Sequence, residues 1–376
     1  ISGGTPSRAR KEFWENGDIP WIKIGNLKGK YVNKSDECIT KLGLENSATK
    51  LLPRGTILYS IFATLGETGI LSIEACTNQA IAGIIINDKM QVSTEYLYYF
   101  LKSKKKKVNN IGRGVAQNNI NISMLKGFKI LLPEYVIQCK MVDIFDKIEN
   151  IIEIRKAELE SLDKLVRARF VELFGNPVIN NKGWEQKLLG EITLKIGSGS
   201  TPKGGKRVYR ENGIAFIRSM NVHSGYFEYK DLAYISDEQA HSLVSVTAKE
   251  YDVLLNITGA SVARCCVIPS DILPARVNQH VCIIRCKQNI SPYFLNYMLI
   301  DNNFRELLLR IAGTGATREA ITKQKIENLN IILPPIQLQN DFATFVEQVN
   351  KSKVEVQKAL DKDQLLFDSL MQKYFG

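Results

Sequence analysis

The stretches "GFKILLPEYVIQ" (127–138) and "NLNIILPPIQLQ" (328–339) share one plan at an offset of 201 positions. Each is an apolar run, a proline, and then a glutamine that opens a long charged segment. The echo extends outward. "SGGTP" (2–6) matches "GSTP" (199–202), and "ENGDIPWIKIGNL" (15–27) matches "ENGIAFIRSMNV" (211–222). "RGTILYSI" (54–61) pairs with "EYDVLLNI" (250–257), "TNQAIAGI" (77–84) with "VNQHVCII" (277–284), and "EYLYYFL" (95–101) with "PYFLNYML" (292–299). "GRGVAQNNI" (112–120) pairs with "GTGATREAI" (313–321). The order never breaks, and the offset drifts only from 195 to 201, as loop insertions would produce. Chance explains one such pair but not the ordered set. The chain is two copies of one unit, with a period far too long for a solenoid.

Within each copy the first part reads as mixed α/β. Short β-rich runs such as "TILYSIF" and "AIAGIIIN" are bounded by Gly, Pro and Asn. "STEYLYYFLKSKKKK" (93–107) reads as a short amphipathic helix. The second part differs. Steps of four and three from Met141 visit Phe145, Ile148, Ile152, Arg155, Leu159, Leu162, Val166, Arg169 and Leu173. The same steps from Phe342 visit Val346, Val349, Lys353, Val356, Leu360, Asp363, Phe367, Leu370 and Tyr374. Sustained apolar positions at this spacing, with charges between them, are the coiled-coil pattern. A helix of about 40 residues would be roughly 60 Å long. The candidate packing residues are Met141, Phe145, Ile148, Ile152, Leu159, Leu162 and Val166, with Phe342, Val346, Val349, Val356, Leu360, Phe367 and Leu370. Two helices each lying on its own domain would be the alternative, but isolated long helices rarely keep a strict 3.5 period.

The expected organisation is thus an α/β part at 1–133, a helix at 134–175, a second α/β part at 176–334 and a second helix at 335–376. Each helix follows a proline and ends in Phe-Gly, where glycine can stop it. Residues 176–195 have no counterpart in the first copy, so that copy is expected to lack an upstream segment.

A chain of 376 residues is too long for one ordinary core, which agrees with two domains. Apolar runs such as "IAGIII" (81–86) fall far short of the roughly 20 residues of a membrane span. Seven cysteines, with Cys265 and Cys266 adjacent, show no framework spacing, which favours a reducing cytoplasm. Net charge is +11, and its placement is informative. Segment 134–174 carries 7 basic against 9 acidic residues and segment 335–375 carries 5 against 6, leaving +14 on the remainder. A basic excess confined to the α/β parts favours a polyanionic partner there, nucleic acid first.

Catalytic chemistry is not visible. There is no P-loop and no dinucleotide fingerprint. His223, His241 and His280 are scattered, and Cys282 and Cys286 lack a second pair at zinc spacing. No catalytic or metal-ligating set is expected.

Two pairs of segments could contact DNA. The loop "SGGTPSRARKEFWENG" (2–17) offers Thr5, Ser7, Arg8, Arg10 and Lys11; its copy "GSGSTPKGGKRVYRENG" (197–213) offers Lys203, Lys206, Arg207 and Arg210. Glycines permit close backbone approach, hydroxyls bind phosphate, and Arg or Lys can reach guanine edges. The second pair offers Arg113, Gln117, Asn118 and Asn119 in one copy and Thr314, Thr317 and Arg318 in the other. These side chains differ while the glycine frame is kept, as one scaffold reading two sequences would require. The run Lys104–Lys107 would add phosphate affinity or simply end a solvated helix. The "NQ" pairs at 78–79 and 278–279 sit in apolar runs; they could read bases, but the expectation is buried, satisfied amides.

These features together resemble the specificity subunit of type I restriction-modification systems. The likeness rests on the "SGGTP"/"GSTP" openings, the "IPWIKIGNL" run, the passage "GTGATREAITKQKIENLNIILPPIQLQ" and the two-copy layout, and it spans essentially the whole chain. The resemblance implies a tandem of α/β target recognition domains, each followed by a spacer helix, the two helices forming an antiparallel coiled coil. It implies double-stranded DNA as partner, one half of a bipartite asymmetric site per domain, with the helix length setting the gap. Half-sites about one helical turn apart, roughly 34–36 Å, suit two readers on one face of the duplex. It also implies docking of methyltransferase subunits, two of them, and of restriction subunits through these. S-adenosylmethionine, ATP and magnesium would belong to those partners, and no cofactor to this chain. The rival classes are a nuclease with unrecognised catalytic residues and a helical scaffold that binds no DNA.

Overall fold

The computed structural model describes residues 1–112, 119–313 and 320–376, and the side chains of all of these except 110–112. Two compact units divide the chain: residues 1–156 with 358–376, and residues 157–357. The division cuts across the sequence repeat. Each of the 40-residue helices, Tyr135–Phe174 and Ile336–Phe375, gives one half to each unit.

In the first unit a four-stranded sheet runs in the order Tyr31–Val32, Thr68–Leu71, Ile57–Ser60, Ile81–Ile84. Ile57–Ser60 is buried at every position, which is why Ile57, Leu58 and Tyr59 follow one another without polar alternation. A smaller sheet orders Cys38–Ile39, Ile19–Ile22 and Cys76–Thr77. Helix Thr94–Ser103 buries Tyr96, Tyr98, Tyr99, Phe100 and Leu101. These join Met141, Phe145, Ile148 and Ile152 of the first long helix and Phe367, Met371 and Phe375 of the second in one core. The two helix halves run antiparallel: Phe145 stacks on Phe375 at 5.7 Å, and Arg155 meets Asp363 at 2.5 Å.

The second unit repeats the plan with a four-stranded sheet in the order Cys265–Val267, Val253–Asn256, Val281–Cys286, Thr193–Ser198. Another sheet orders Ala233–Ile235, Ile214–Ile217, Ala275–Val277 and Thr247–Ala248. Val166, Phe170 and Phe174 pack with Phe342, Val346 and Val349 and with Phe294, Leu295 and Met298. Here too the helix halves are antiparallel, with Phe342 5.6 Å from Phe170 and Lys353 2.6 Å from Asp163.

Of the candidate packing residues, Leu159, Leu162, Val356, Leu360 and Leu370 are half-buried and the others are buried. Of the four charged residues that interrupt the stepping, Arg155, Lys353 and Asp363 make the ion pairs just described, and Arg169 pairs with Glu172 on its own helix at 2.8 Å. Near both C-terminal ends the buried stripe leaves the stepping. Phe170, Phe174, Met371 and Phe375 are buried, whereas Arg169, Leu173, Leu370 and Tyr374 are only partly covered. A straight helix drifts about 20° per heptad against a 3.5 period. Its last turns therefore present a new face, and that face packs on the α/β body. Gly175, at φ +75°, ends the first long helix in the left-handed conformation that glycine tolerates.

The two junctions differ in one respect that the sequence did not predict. In the second copy Asn330–Ile332 is a strand, paired antiparallel with Gln186–Leu188. In the first copy the matching apolar run, residues 128–134, forms no strand. Leu131 is accordingly 81% exposed where its equivalent Ile332 is fully buried.

Candidate nucleic-acid interface

Both basic loops begin on glycines laid against a turn of the same unit. The Gly3 and Gly4 N–H groups donate to Ile81 O (3.1 Å) and Thr77 O (2.9 Å), and those of Gly199 and Ser200 to Val281 O and Val277 O (3.0 Å each). A Cβ on Gly3 would lie 2.0 Å from Asn78 O, and one on Gly199 would lie 2.0 Å from Val277 O. These glycines therefore allow close approach to the protein's own backbone, not to a ligand. Gly199→Ala should cost about 1–3 kcal/mol through backbone overlap. Gly29→Ala, with open space around it, should leave the thermal midpoint nearly unchanged. Equal midpoints for the two variants would refute this account of the motif.

The turn that receives the loop holds the "NQ" pair. Asn78 Oδ1 accepts from the Ala80 N–H at 3.2 Å, and Asn278 Oδ1 from the His280 N–H at 3.1 Å. With each asparagine folded onto its own turn, the following glutamine faces outward. Gln79 and Gln279 are exposed, which corrects the expectation that both amides are buried. Gln79 Oε1 accepts from the Thr5 hydroxyl and Gln279 Oε1 from that of Thr201, the same pair in both units.

Thr5, Ser7, Arg8, Arg10 and Lys11 are exposed, as are Lys203, Lys206, Arg207 and Arg210. Their charges are handled differently. Arg8 stacks on Trp14 at 3.6 Å and pairs with Glu37 at 2.5 Å. The Glu37 carboxyl is held below its ordinary range by hydrogen bonds from Lys23 first and then from Arg8. Arg10 and Lys11 lie 3.7 and 3.8 Å from Glu12 and Glu15. In the second unit no carboxylate among the described residues pairs with Lys203, Lys206, Arg207 or Arg210. The basic potential of the second loop is thus the less compensated of the two.

Arg113, Gln117, Asn118, Thr314, Thr317 and Arg318 lie outside the described residues, but the ends of their segments are fixed. The Ile120 N–H donates to Ile61 O at 3.0 Å and the Ile321 N–H to Ile257 O at 2.9 Å. Asn119, exposed, bridges Phe62, and Ala320 bridges Thr258. Each unit therefore gathers four segments at one end of its central strand. In the first they are Gly3–Thr5, Ser60–Phe62, Asn78–Ala80 and Asn119–Ile120; the second has the equivalent four.

The lysine run takes a third role that neither expectation covered. Lys104 donates to the terminal helical carbonyl of Phe375, Lys105 pairs with Glu67 at 2.6 Å, and Lys106 with Asp368 at 2.8 Å. Three of its four charges bind the first unit together, one of them by capping a helix C-terminus. The signal was present in the sequence, since a lysine run ending a helix can also meet the carbonyl end of another.

Cys266 and Cys282 are buried, and desolvation pushes their thiols up to about 12, where they are unreactive. Among the described residues, no group of three or more His, Cys, Asp or Glu could hold a metal ion, and no helix is long and apolar enough to cross a membrane.

The chain matches the type I restriction modification DNA specificity domain over residues 1–164 and again over 181–365. It is 29% identical to the type I restriction enzyme MjaIX specificity subunit of Methanocaldococcus jannaschii, across 99% of this chain and 89% of that one. To the EcoR124I/EcoR124II specificity subunit of Escherichia coli it is 30% identical over 155 residues, 40% of this chain and 38% of the other. Among solved structures it is similar to the S subunit of a type I restriction-modification system from M. genitalium. That match has a TM-score of 0.56 and 14% identity, over all of this chain and 93% of that one. A chain from a study of assembly and conformational transition of the type I R-M system gives a TM-score of 0.59 at 17% identity, over 100% and 94% of the two chains.

Proposed function

The chain belongs to the type I restriction modification DNA specificity family, and from that premise we propose that it reads a bipartite, asymmetric site in double-stranded DNA, one half-site per unit. A specificity subunit supplies recognition to such a system and leaves catalysis to other subunits. The observation that carries the two-half reading is the platform built twice: the same Thr–Gln pair on the same backbone frame, with different side chains beside it. Phosphate and backbone contacts can be alike in both halves, whereas base reading must differ. Either unit alone would bind weakly, and joining two on one chain raises the effective concentration at the second half-site. The long helices would carry methyltransferase subunits, two in number, and restriction subunits through them. S-adenosylmethionine, ATP and magnesium would then be held by those partners, in the cytoplasm.

Co-expression with a cognate methyltransferase subunit, followed by mapping of genomic methyladenine, tests this reading. A bipartite motif with an unread gap, present only when this chain is expressed, is the expected result. A contiguous motif, or methylation independent of the chain, would overturn it. DNA cleavage by the purified chain with magnesium alone would favour a nuclease instead.

A further inference from the structure

The two units share a contact pair and then differ next to it. In each, the carbonyl oxygen of the exposed Gln79 or Gln279 accepts from a threonine hydroxyl, and the amide nitrogen with its two donors makes no hydrogen bond among the described contacts. Beside the glutamine runs the end of the central strand: the Ile61 N–H donates to Ala80 O at 2.8 Å, and the Ile257 N–H to His280 O at 3.0 Å. The next residue on that strand is Phe62 in the first unit, 41% exposed, and Thr258 in the second. Thr258 is hydrogen-bonded to His280 Nδ1 at 2.6 Å, and the first unit has Ala80 where the second has His280.

We propose that Phe62 in one unit and the Thr258–His280 pair in the other determine the base preference of their half-sites, while Gln79 and Gln279 make one shared contact to DNA. This rests on the DNA-reading function proposed above and names the residues behind it. An identical pair cannot distinguish two different half-sites, so discrimination must come from side chains that differ. Two amide donors suit an acceptor present at any sequence, and the phosphate oxygen is such an acceptor. Phe62 offers only an apolar face, which suits a thymine methyl group. His280 is a hydrogen-bonding reader: with Nδ1 engaged by Thr258, Nε2 is the ring atom left for a base edge. If the threonine hydroxyl donates to Nδ1, Nε2–H is a donor; in the other tautomer Nε2 is an acceptor. Thr258 therefore acts as a positioning residue, fixing the orientation of the ring.

The strand tip is also held alike in the two units. Ala63 has φ +58° and its equivalent Gly259 has φ +68°. An alanine kept in the left-handed region, where glycine sits in the other copy, means the surrounding structure imposes this tip shape.

The test uses the chain in complex with its methyltransferase subunits and maps methyladenine for each variant. Phe62→Ala should relax one position in one half-site, losing roughly 5- to 100-fold in discrimination there, as expected for one base contact. His280→Ala and Thr258→Val should relax a single common position in the other half-site. Gln79→Ala and Gln279→Ala should lower methylation at all sites without altering the motif. If His280→Ala fails to accumulate, Thr258→Val and His280→Gln, which change less, carry the test. An unchanged motif in the folded His280 and Thr258 variants, or the same change in both half-sites, overturns this inference. A wild-type complex with no bipartite motif overturns the broader reading instead.

Discussion

Phe342→Ala should destabilise the second unit by about 3–5 kcal/mol, the range for truncating a fully buried phenylalanine. The ring has no exposed surface and is ringed by aromatics: Phe170 at 5.6 Å, Phe174 at 5.5 Å and Tyr297 at 5.4 Å. Its neighbours come from the other long helix and from helix Pro292–Leu299, so no single segment can collapse into the space left behind. Edge-to-face contacts add to the loss, since each is worth about 0.5–1.5 kcal/mol beyond its buried area. Leu365→Ala on the same helix makes the comparison, because Leu365 is 68% exposed and should change stability by less than about 0.5 kcal/mol. Urea unfolding of both variants reads the difference. A loss below about 1.5 kcal/mol for Phe342→Ala would mean that the helix pair is not packed as described.

How much of this was legible beforehand depends on whether a feature is local or needs a partner. The long helices were legible because a 3.5 period over 40 residues states both the element and its buried face. Their ends were not, because Phe170, Phe174, Met371 and Phe375 pack on the α/β body and follow the geometry of a straight helix. The duplication was legible from the ordered motifs, but not the difference between residues 128–134, which form no strand, and Asn330–Ile332, which pair with Gln186–Leu188. A strand needs a partner, and an isolated apolar run does not show whether one is there. Charge was the least transparent. Arg8 and the lysine run look alike as basic sequence, but Glu37, Glu67 and Asp368, distant in sequence, bind them. The Thr5–Gln79 and Thr201–Gln279 pairs were missed as pairs, since they join positions 74 and 78 residues apart. Their signal lay in the recurrence of threonine and glutamine in both copies.

Gln339→Leu should cost about 3–5 kcal/mol, as much as a large core truncation, although it adds an apolar side chain to a buried site. Gln339 is fully buried. Its Oε1 accepts from the Ser291 N–H at 2.9 Å, and its Nε2 donates to Pro334 O at 2.8 Å and Asn289 O at 3.5 Å. Ser291 is the N-cap of helix Pro292–Leu299, and its N–H has no other acceptor among the described contacts. Leucine would leave a buried donor and a buried carbonyl unmet, at about 1–3 kcal/mol each. It would also untie the helix start from the long helix. The first copy repeats the arrangement: Gln138 accepts from the Ser93 N–H at 3.0 Å and donates to Gln91 O and Pro133 O at 2.8 Å each. The glutamine shared by the two junctions is therefore a clamp between the α/β body and the helix that leaves it. Gln339→Glu separates the hydrogen-bond effect from the packing effect. A buried carboxylate keeps the acceptor for Ser291 but loses the donor to Pro334 and must be desolvated, so its penalty should grow as pH rises through the carboxylate range. Gln339→Leu should show no such dependence. A leucine variant as stable as wild type in urea unfolding would show that the amide is a spectator and that burial alone holds the junction.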